Sequence, residues 1–337
     1  MCRLSIPFNA LKSTSLYGHS MNGDGISIVI PTMNNEEHLL RCVSSIAEQT
    51  VQPLELIIVN DGTIADRDKR SMRNRIEPNV KLIITESDGP RGLSTAKNTG
   101  AKISKGEIVL FLDDDTVLRE DYIETLVQSY REHDSPKLAG IAGFDSEESG
   151  RGRSWLSRIF SVLFFHRGEG WRINSAGFQS VDGKLSEPAK SDWIPGYNSS
   201  YKRDLIVKYP FVYWNGGREA LEDVEIGWRL RKEGYHFMVD PRLDIEHHES
   251  GYGNLKRLGR KNGRNRVRIF RKHGEAAYIP LFFWSALGDL TKHICFPLVD
   301  SNWEHHWSVA RGRISGYISE LFKIVGQHSQ GSRPIRK

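Results

Sequence analysis

The sequence predicts an α/β fold, a doubly wound and mostly parallel sheet flanked by helices, on three observations. Short apolar runs recur at residues 26–31, 54–59, 80–84 and 108–112, and runs so continuous suit strands buried on both faces. Segments with helical apolar spacing alternate with them, which argues βαβ units. Polar residues gather directly after the runs, where ligands collect beyond the carboxyl ends of such strands.

"ISIVIP" (26–31) opens the sheet and "NNEEHLLRCVSSIAEQT" (34–50) follows as a helix. Leu39, Val43 and Ile46 recur at helical spacing there, and Glu36 and Glu37 suit the helix start. "LELIIVNDG" (54–62) is a strand ending in a turn, and "VKLIITE" (80–86) is the third strand. "GLSTAKNTGAKISKG" (92–106) is helical, with Gly106 as its stop. "EIVLFLDDD" (107–115) is the fourth strand, and "REDYIETLVQSYREH" (119–133) the helix after it. Beyond about residue 145 the pattern loosens into aromatic and Gly-rich loops, which suggests an acceptor half, 146–250, built on a nucleotide-binding half, 26–145. Residues 251–337 form a basic, helical extension, and residues 1–25, rich in Ser, Asn and Gly, are expected to be poorly ordered.

Composition narrows the classes. A chain of 337 residues that is 38% hydrophobic can bury one large core or two smaller ones. Cys2, Cys42 and Cys295 are far apart with no CxxC pair; neither a disulfide framework nor a structural zinc site is indicated, and a reducing, cytoplasmic setting fits. The net charge of +5 and pI of about 9.0 favour anionic partners. No GxGxxG follows the first strand, where "PTMNNEEH" stands, and GxxxxGK[ST] is absent. Dinucleotide oxidoreductases and P-loop enzymes are disfavoured accordingly.

Asp113, Asp114 and Asp115 follow a buried strand. They form either a solvated turn before the next helix or a cation site. Alternate positions of an extended chain would aim Asp113 and Asp115 the same way, and Mg²⁺ or Mn²⁺ takes hard oxygen ligands and shares its shell with substrate phosphates. Asp61 either recognises a base or ribose or completes an "NDG" turn.

Together, "SIVIPTMNNEEHLLRCVSSIAEQT", "ELIIVNDG", "RGLSTAKNTG", "VLFLDDD" and "LEDVEIGWRLRKEGY", in that order, resemble the family 2 glycosyltransferases of GT-A fold, over roughly residues 26–250. The resemblance implies inverting transfer of a sugar from a nucleotide-diphosphate donor, a UDP-sugar foremost, to an acceptor hydroxyl, with Mg²⁺ or Mn²⁺ as cofactor. By position it implies nucleotide contacts from Pro31, Thr32 and Glu36, a base contact from Asp61, and further contacts from Arg91, Lys97 and Asn98. Lys97 stands where Arg is commoner in the family, and "NDGTIAD" departs from its usual Asp-Asp-Gly-Ser-Thr-Asp, so Thr63 and Asp66 receive no role. Asp113, with Asp114 beside it, matches the ribose or sugar contact, and Asp113 and Asp115 with His247 the metal site. Asp223 matches the general base and Glu222 its neighbour; helix-dipole complementation is the other reading of both. Trp193 and Tyr197 in "WIPGYNSSYKRD" either stack on sugar or lipid or belong to the core. His247 is preferred to His248 as the ligand, a structural histidine being the alternative for either.

"KRLGRKNGRNRVRIFRK" (256–272) holds nine Lys or Arg and no acid, and "YIPLFFWSALGDLTKHICFPLV" (278–299) is apolar but interrupted by Asp289, Lys292 and His293. A solvated face is the ordinary reading of such a basic run. No nucleic-acid motif accompanies it. Peripheral association with anionic membrane and a saccharide or lipid-linked acceptor fit better, and a bilayer span is not expected. Rival functions are a sugar-phosphate nucleotidyltransferase, whose Gly-rich loop after the first strand is missing, and a non-catalytic sugar- or lipid-binding protein.

Overall fold

The computed structural model describes residues 25–76, 80–143, 162–164, 171–180, 185–214, 220–248, 254–295 and 303–330. The extension expected over 1–25 lies outside them apart from Gly25, as does the expected boundary near 145.

β1 (Ile26–Thr32), β2 (Glu55–Asn60), β3 (Lys81–Thr85) and β4 (Ile108–Leu112) are parallel neighbours in the order β3-β2-β1-β4. Their continuous apolar runs have a simple cause. Ile26, Ile28, Ile30, Leu56, Ile58, Leu110 and Leu112 face one core, with Leu39 and Val43 of α1 (Glu36–Ala47) and Leu126 of α4 (Tyr122–His133). Val29, Ile57, Val59, Val109 and Phe111 face the opposite core, with Ala96 and Ala101 of α3 (Leu93–Ile103). Successive side chains point to opposite faces, so a sheet covered on both sides favours apolar residues at successive positions; the buried exceptions Ser27 and Glu55 bond each other at 2.8 Å. The order reverses at β1, and the crevice between the ends of β1 and β4 is the switch point.

α2 (Asp66–Arg75) carries no apolar row and was not anticipated; only Asp68 and Met72 are buried. Beyond β4 the sheet runs β8 (Asn198–Lys202), β6 (Leu138–Ala142), β9 (His236–Val239) and β7 (Ala189–Ser191). β8 is antiparallel to both β4 and β6, while β6 and β9 are parallel. Its polar sequence "NSSYK" is buried with specific partners for Asn198 and Ser200. Tyr122 Oη donates to Asn198 Oδ1, Tyr130 Oη and Ser200 Oγ lie 2.9 Å apart, and Ser200 Oγ donates to Ile141 O at 2.5 Å. One sheet therefore spans both expected halves. α5 (Arg203–Lys208) and α6 (Glu222–Lys232) follow β8. A separate two-stranded sheet pairs β5 (Thr116–Leu118) with β10 (Ile245–His247), His247 opposite Thr116.

The C-terminal part consists of α7 (Leu255–His273), α8 (Ile279–Cys295) and α9 (Trp303–Gln330). "GRKNG" (259–263) on α7 meets "GRISG" (312–316) on α9. A Cβ at Gly263 would run into Arg313 O, and one at Gly316 into Arg260 O, so the two backbones approach as only glycine permits. Gly263→Leu should therefore lower stability by about 1–3 kcal/mol, as overpacking does; a thermal melt matching the parent's would show the helices are free to part.

The basic run on α7 is not a wholly solvated face, the ordinary reading of such a run. Arg266 is buried, donating to Gly177 O and to Gln179 Oε1 (2.7 Å), with its guanidinium 4.4 Å from the centre of the Phe178 ring. Arg268 bonds Glu320 Oε1 and Trp214 O, each at 2.9 Å, and Lys272 reaches Glu225 Oε1 at 2.8 Å. Helix packing consumes these charges, and a sequence count cannot distinguish them from free ones.

Candidate functional site

A cavity of about 380 Å³ opens at the switch point. Pro31, Thr32, Asn34 and Asn35 line it from the loop after β1, Asp61 from the end of β2, Arg91 and Leu93 from the start of α3, and Asp113 to Asp115 from the end of β4. Each group stands where a strand ends because backbone pairing stops there and side chains converge on open space.

The three aspartates diverge in role. Asp114 turns back to the first loop, accepting from Thr32 Oγ1 (2.5 Å) and Asn35 Nδ2 (2.8 Å). Burial pushes its carboxyl up to about 6 against the pull of those two hydrogen bonds. Asp113, Asp115 and His247 each offer one ligand atom, and these atoms all lie within 4.8 Å of one another. His247 Nε2 is 3.1 Å from Asp115 Oδ1, its ring stacks on Tyr197 at 4.6 Å, and its place is set by the β5–β10 pairing. Asp113 Oδ1 is buried with no hydrogen-bond partner among the described residues. An orphaned carboxylate oxygen beside a second carboxylate and an imidazole fits a divalent cation. His248, the rejected alternative, is partly exposed and faces Glu246 instead.

Asp61 is buried, and both of its oxygens hold the loop that carries Arg91, accepting from Ser87 N (3.2 Å) and Gly92 N (3.1 Å). Glu36 begins α1 and does not line the cavity. Nor do Lys97 and Asn98, which the resemblance places at the nucleotide. The cavity face of α3 belongs to Leu93 and Ala96, and the helical step turns the next two residues elsewhere. Asn98 bonds both backbone groups of Phe211, at 2.8 and 2.9 Å.

Lys97 is fully buried, donates to Gly196 O (2.9 Å) and lies 3.7 Å from Glu222 Oε1. A Cβ on Gly196, in the turn before β8, would sit 3.1 Å from Lys97 Nζ and 3.3 Å from Glu222 Oε1, so the turn passes close against this charged pair. Asp223, half-buried, follows at the first turn of α6, behind Leu221 in the left-handed region at φ 68°. A leucine held there is strained, and such strain collects at functional sites. Burial and then the charge of Glu222 raise the Asp223 carboxyl to about 7, opposed by the Val224 N–H and by Lys97. Lys97→Met would leave Glu222 buried beside Asp223 without its cation, and stability should fall by about 3 kcal/mol; denaturant titration of the variant checks this.

Gly196 and Tyr197 bridge the two clusters, since Asp113 N donates to Tyr197 O at 3.2 Å. Of the two readings of Trp193, on sugar or lipid or in the core, its packing fits the second: it is buried against Trp171 at 4.9 Å, with its indole N–H bonded to Ser180 O. The turn at Gly196 and Tyr197 breaks any regular alternation before β8, so Trp193 packs inward while Tyr197 reaches the Asp–His cluster. Asn35 and Gly196 were not anticipated as site residues. Gly196 carried a turn signal in "IPGY", whereas nothing local in the sequence couples Asn35 to Asp114.

The sheet, the switch-point cavity and the acidic cluster define a GT-A type glycosyltransferase scaffold. The sequence profile of Glycosyl transferase family 2 matches residues 27–186 of the chain. Among its relatives, Glycosyltransferase GlyG of Streptococcus pneumoniae serotype 4 is 34% identical over 162 residues, 45% of this chain and 53% of that protein. The Glucosyl-dolichyl phosphate glucuronosyltransferase of Haloferax volcanii is 28% identical over 204 residues, 59% of each chain. The chain thus spans about half the length of these relatives. A solved structure, the mannosyltransferase PcManGT from Pyrobaculum calidifontis in complex with GDP-Man and Mn²⁺, has a TM-score of 0.55 at 15% identity, covering 89% of this chain and 87% of that one. It shares the fold.

Proposed function

We propose that the protein is an inverting, hexosyltransferase-like enzyme that moves a sugar from a nucleotide-diphosphate-sugar to an acceptor hydroxyl. The observation that carries this reading is the cluster of Asp113 and Asp115, which line the cavity, with His247, joined through Gly196 and Tyr197 to the raised carboxyl of Asp223. Asp113, Asp115 and His247 would hold Mg²⁺ or Mn²⁺. When bound, that ion supplies Lewis-acid stabilisation of the leaving diphosphate.

The chain's own groups do the rest. Thr32, Asp61 and Arg91 line the space for nucleoside and phosphates. Asp223 accepts the proton of the acceptor hydroxyl as its oxygen bonds to the anomeric carbon and the bond from that carbon to the diphosphate oxygen breaks. Attack opposite the leaving group inverts the centre. Tyr197, against His247, is positioned to flank the sugar. The Haloferax relative's name supports a lipid-linked glycan acceptor, and with it work at a membrane surface. UDP- and GDP-sugars both belong in the donor panel, because the solved neighbour holds GDP-mannose.

Release of nucleoside diphosphate from that panel, with Mn²⁺ and with chelator, tests the proposal. Metal-dependent release from a nucleotide-sugar is the expected result. Pyrophosphate release from a nucleoside triphosphate plus a sugar phosphate would mark a nucleotidyltransferase, and no turnover a binding protein.

A further inference from the structure

α8 is apolar on both sides. Phe282, Ser285 and Ala286 are buried, Phe282 against Phe178, Phe270 and Tyr317, while Ile279, Phe283, Trp284 and Leu287 remain 41–52% exposed. A surface helix of a globular protein carries polar residues on that outer side. α9 repeats the feature: Trp307, Ile314, Ile318 and Phe322 share one outward row at helical spacing, Phe322 71% exposed. The exposed Leu163 adjoins the first row, its carbonyl accepting from Trp284 Nε1 at 2.9 Å.

We infer that the outer rows of α8 and α9 form a lipid-docking face that enters the interfacial layer of an anionic bilayer without spanning it. This deepens the membrane-acceptor reading above and rests on it for its purpose, though its test uses no sugar transfer. No helix among the described residues is long and apolar enough to cross a membrane. Exposed Trp284 and Trp307 are the side chains that settle at headgroup depth. Arg311, exposed within the α9 row, can lay its stem on apolar surface and extend its guanidinium to lipid phosphates. Lys256, Arg257, Arg260 and Arg271 stay exposed on α7 and add attraction to anionic lipid. The same charges disfavour a second copy of this chain as the occupant, since a two-fold contact sets like patches against each other. With Arg266 and Arg268 engaged inside the protein and Lys272 paired with Glu225, apolar insertion rather than charge is the main anchor.

Sedimentation of the full chain with phosphatidylcholine–phosphatidylglycerol vesicles tests this. The parent should pellet with the vesicles, retain part of its binding at high salt, and show blue-shifted tryptophan emission. Phe283→Glu with Phe322→Glu should weaken partitioning about 100-fold with an unchanged thermal melt, both sites being exposed. Arg257→Glu with Arg260→Glu should weaken it about tenfold, at low salt only. The inference is overturned if the Phe283/Phe322 variant pellets like the parent. It is equally overturned if the parent ignores vesicles and sediments as a dimer that this variant dissociates, which gives the face to a second copy. Vesicle binding without any nucleoside diphosphate release would count against the transfer reading and leave the docking face standing.

Discussion

Asp223→Asn should lower the rate of sugar transfer by about 10²–10⁴-fold, the usual worth of a positioned general base, while nucleoside diphosphate binds as it does to the parent. The substitution keeps size and shape and removes basicity. In the parent, activity should fall as pH drops through about 7, where the raised Asp223 carboxyl takes up its proton. That acid limb should vanish in the variant. Stability gives an independent check with a definite sign. A carboxyl raised in the folded state binds its proton more tightly there than in the unfolded chain, so its contribution is present at low pH and lost as pH climbs from the ordinary carboxylate range to about 7. Asp223→Asn should remove that decline and melt no lower than the parent at neutral pH. Glu222→Gln should cost less turnover, since Asp223 remains. Full-rate transfer by Asp223→Asn would end the base assignment.

Asp115→Asn should remove the metal-dependent part of nucleoside diphosphate binding. Changes outside the ligand shell already cost 10–100-fold in metal affinity, so loss of a ligand should cost at least about 100-fold. His247→Ala should act in the same direction, because its Nε2 shares the cluster with Asp113 and Asp115. Asp114→Asn is the internal contrast: its side chain is engaged by Thr32 and Asn35, and its loss should loosen the first loop while metal dependence persists. Calorimetric titration of the diphosphate, with Mn²⁺ and with chelator, separates these outcomes. Equal affinity in the two conditions for the parent protein would remove the metal role.

The parallel core was legible because its rule is local. A strand covered on both faces favours a near-continuous apolar run, and 26–31, 54–59 and 108–112 show that directly, Ser27 and Glu55 excepted. The carboxylates at strand ends were legible for the same reason, since a buried run that stops at Asp61 or Asp113 declares where the chain reaches open space. β8 was not legible, because a polar strand is buried only when partners far off in sequence, here Tyr122, Tyr130 and Ile141, satisfy it.

The chemical kinds of residue proposed for metal, nucleotide and proton transfer were thus determined by the sequence alone, along with the strands that deliver most of them. Tertiary structure decided which residues of each kind meet. It brought His247 rather than His248 to the aspartates through the pairing of β5 with β10, sent Asp114 to the first loop, and turned Lys97 and Trp193 away from the cavity. It also divided the basic run into charges consumed by packing and charges left for a surface. Direction of a side chain depends on helical phase, strand register and contacts across as many as 132 residues of chain, as from Asp115 to His247, and none of these is written in residue type or spacing.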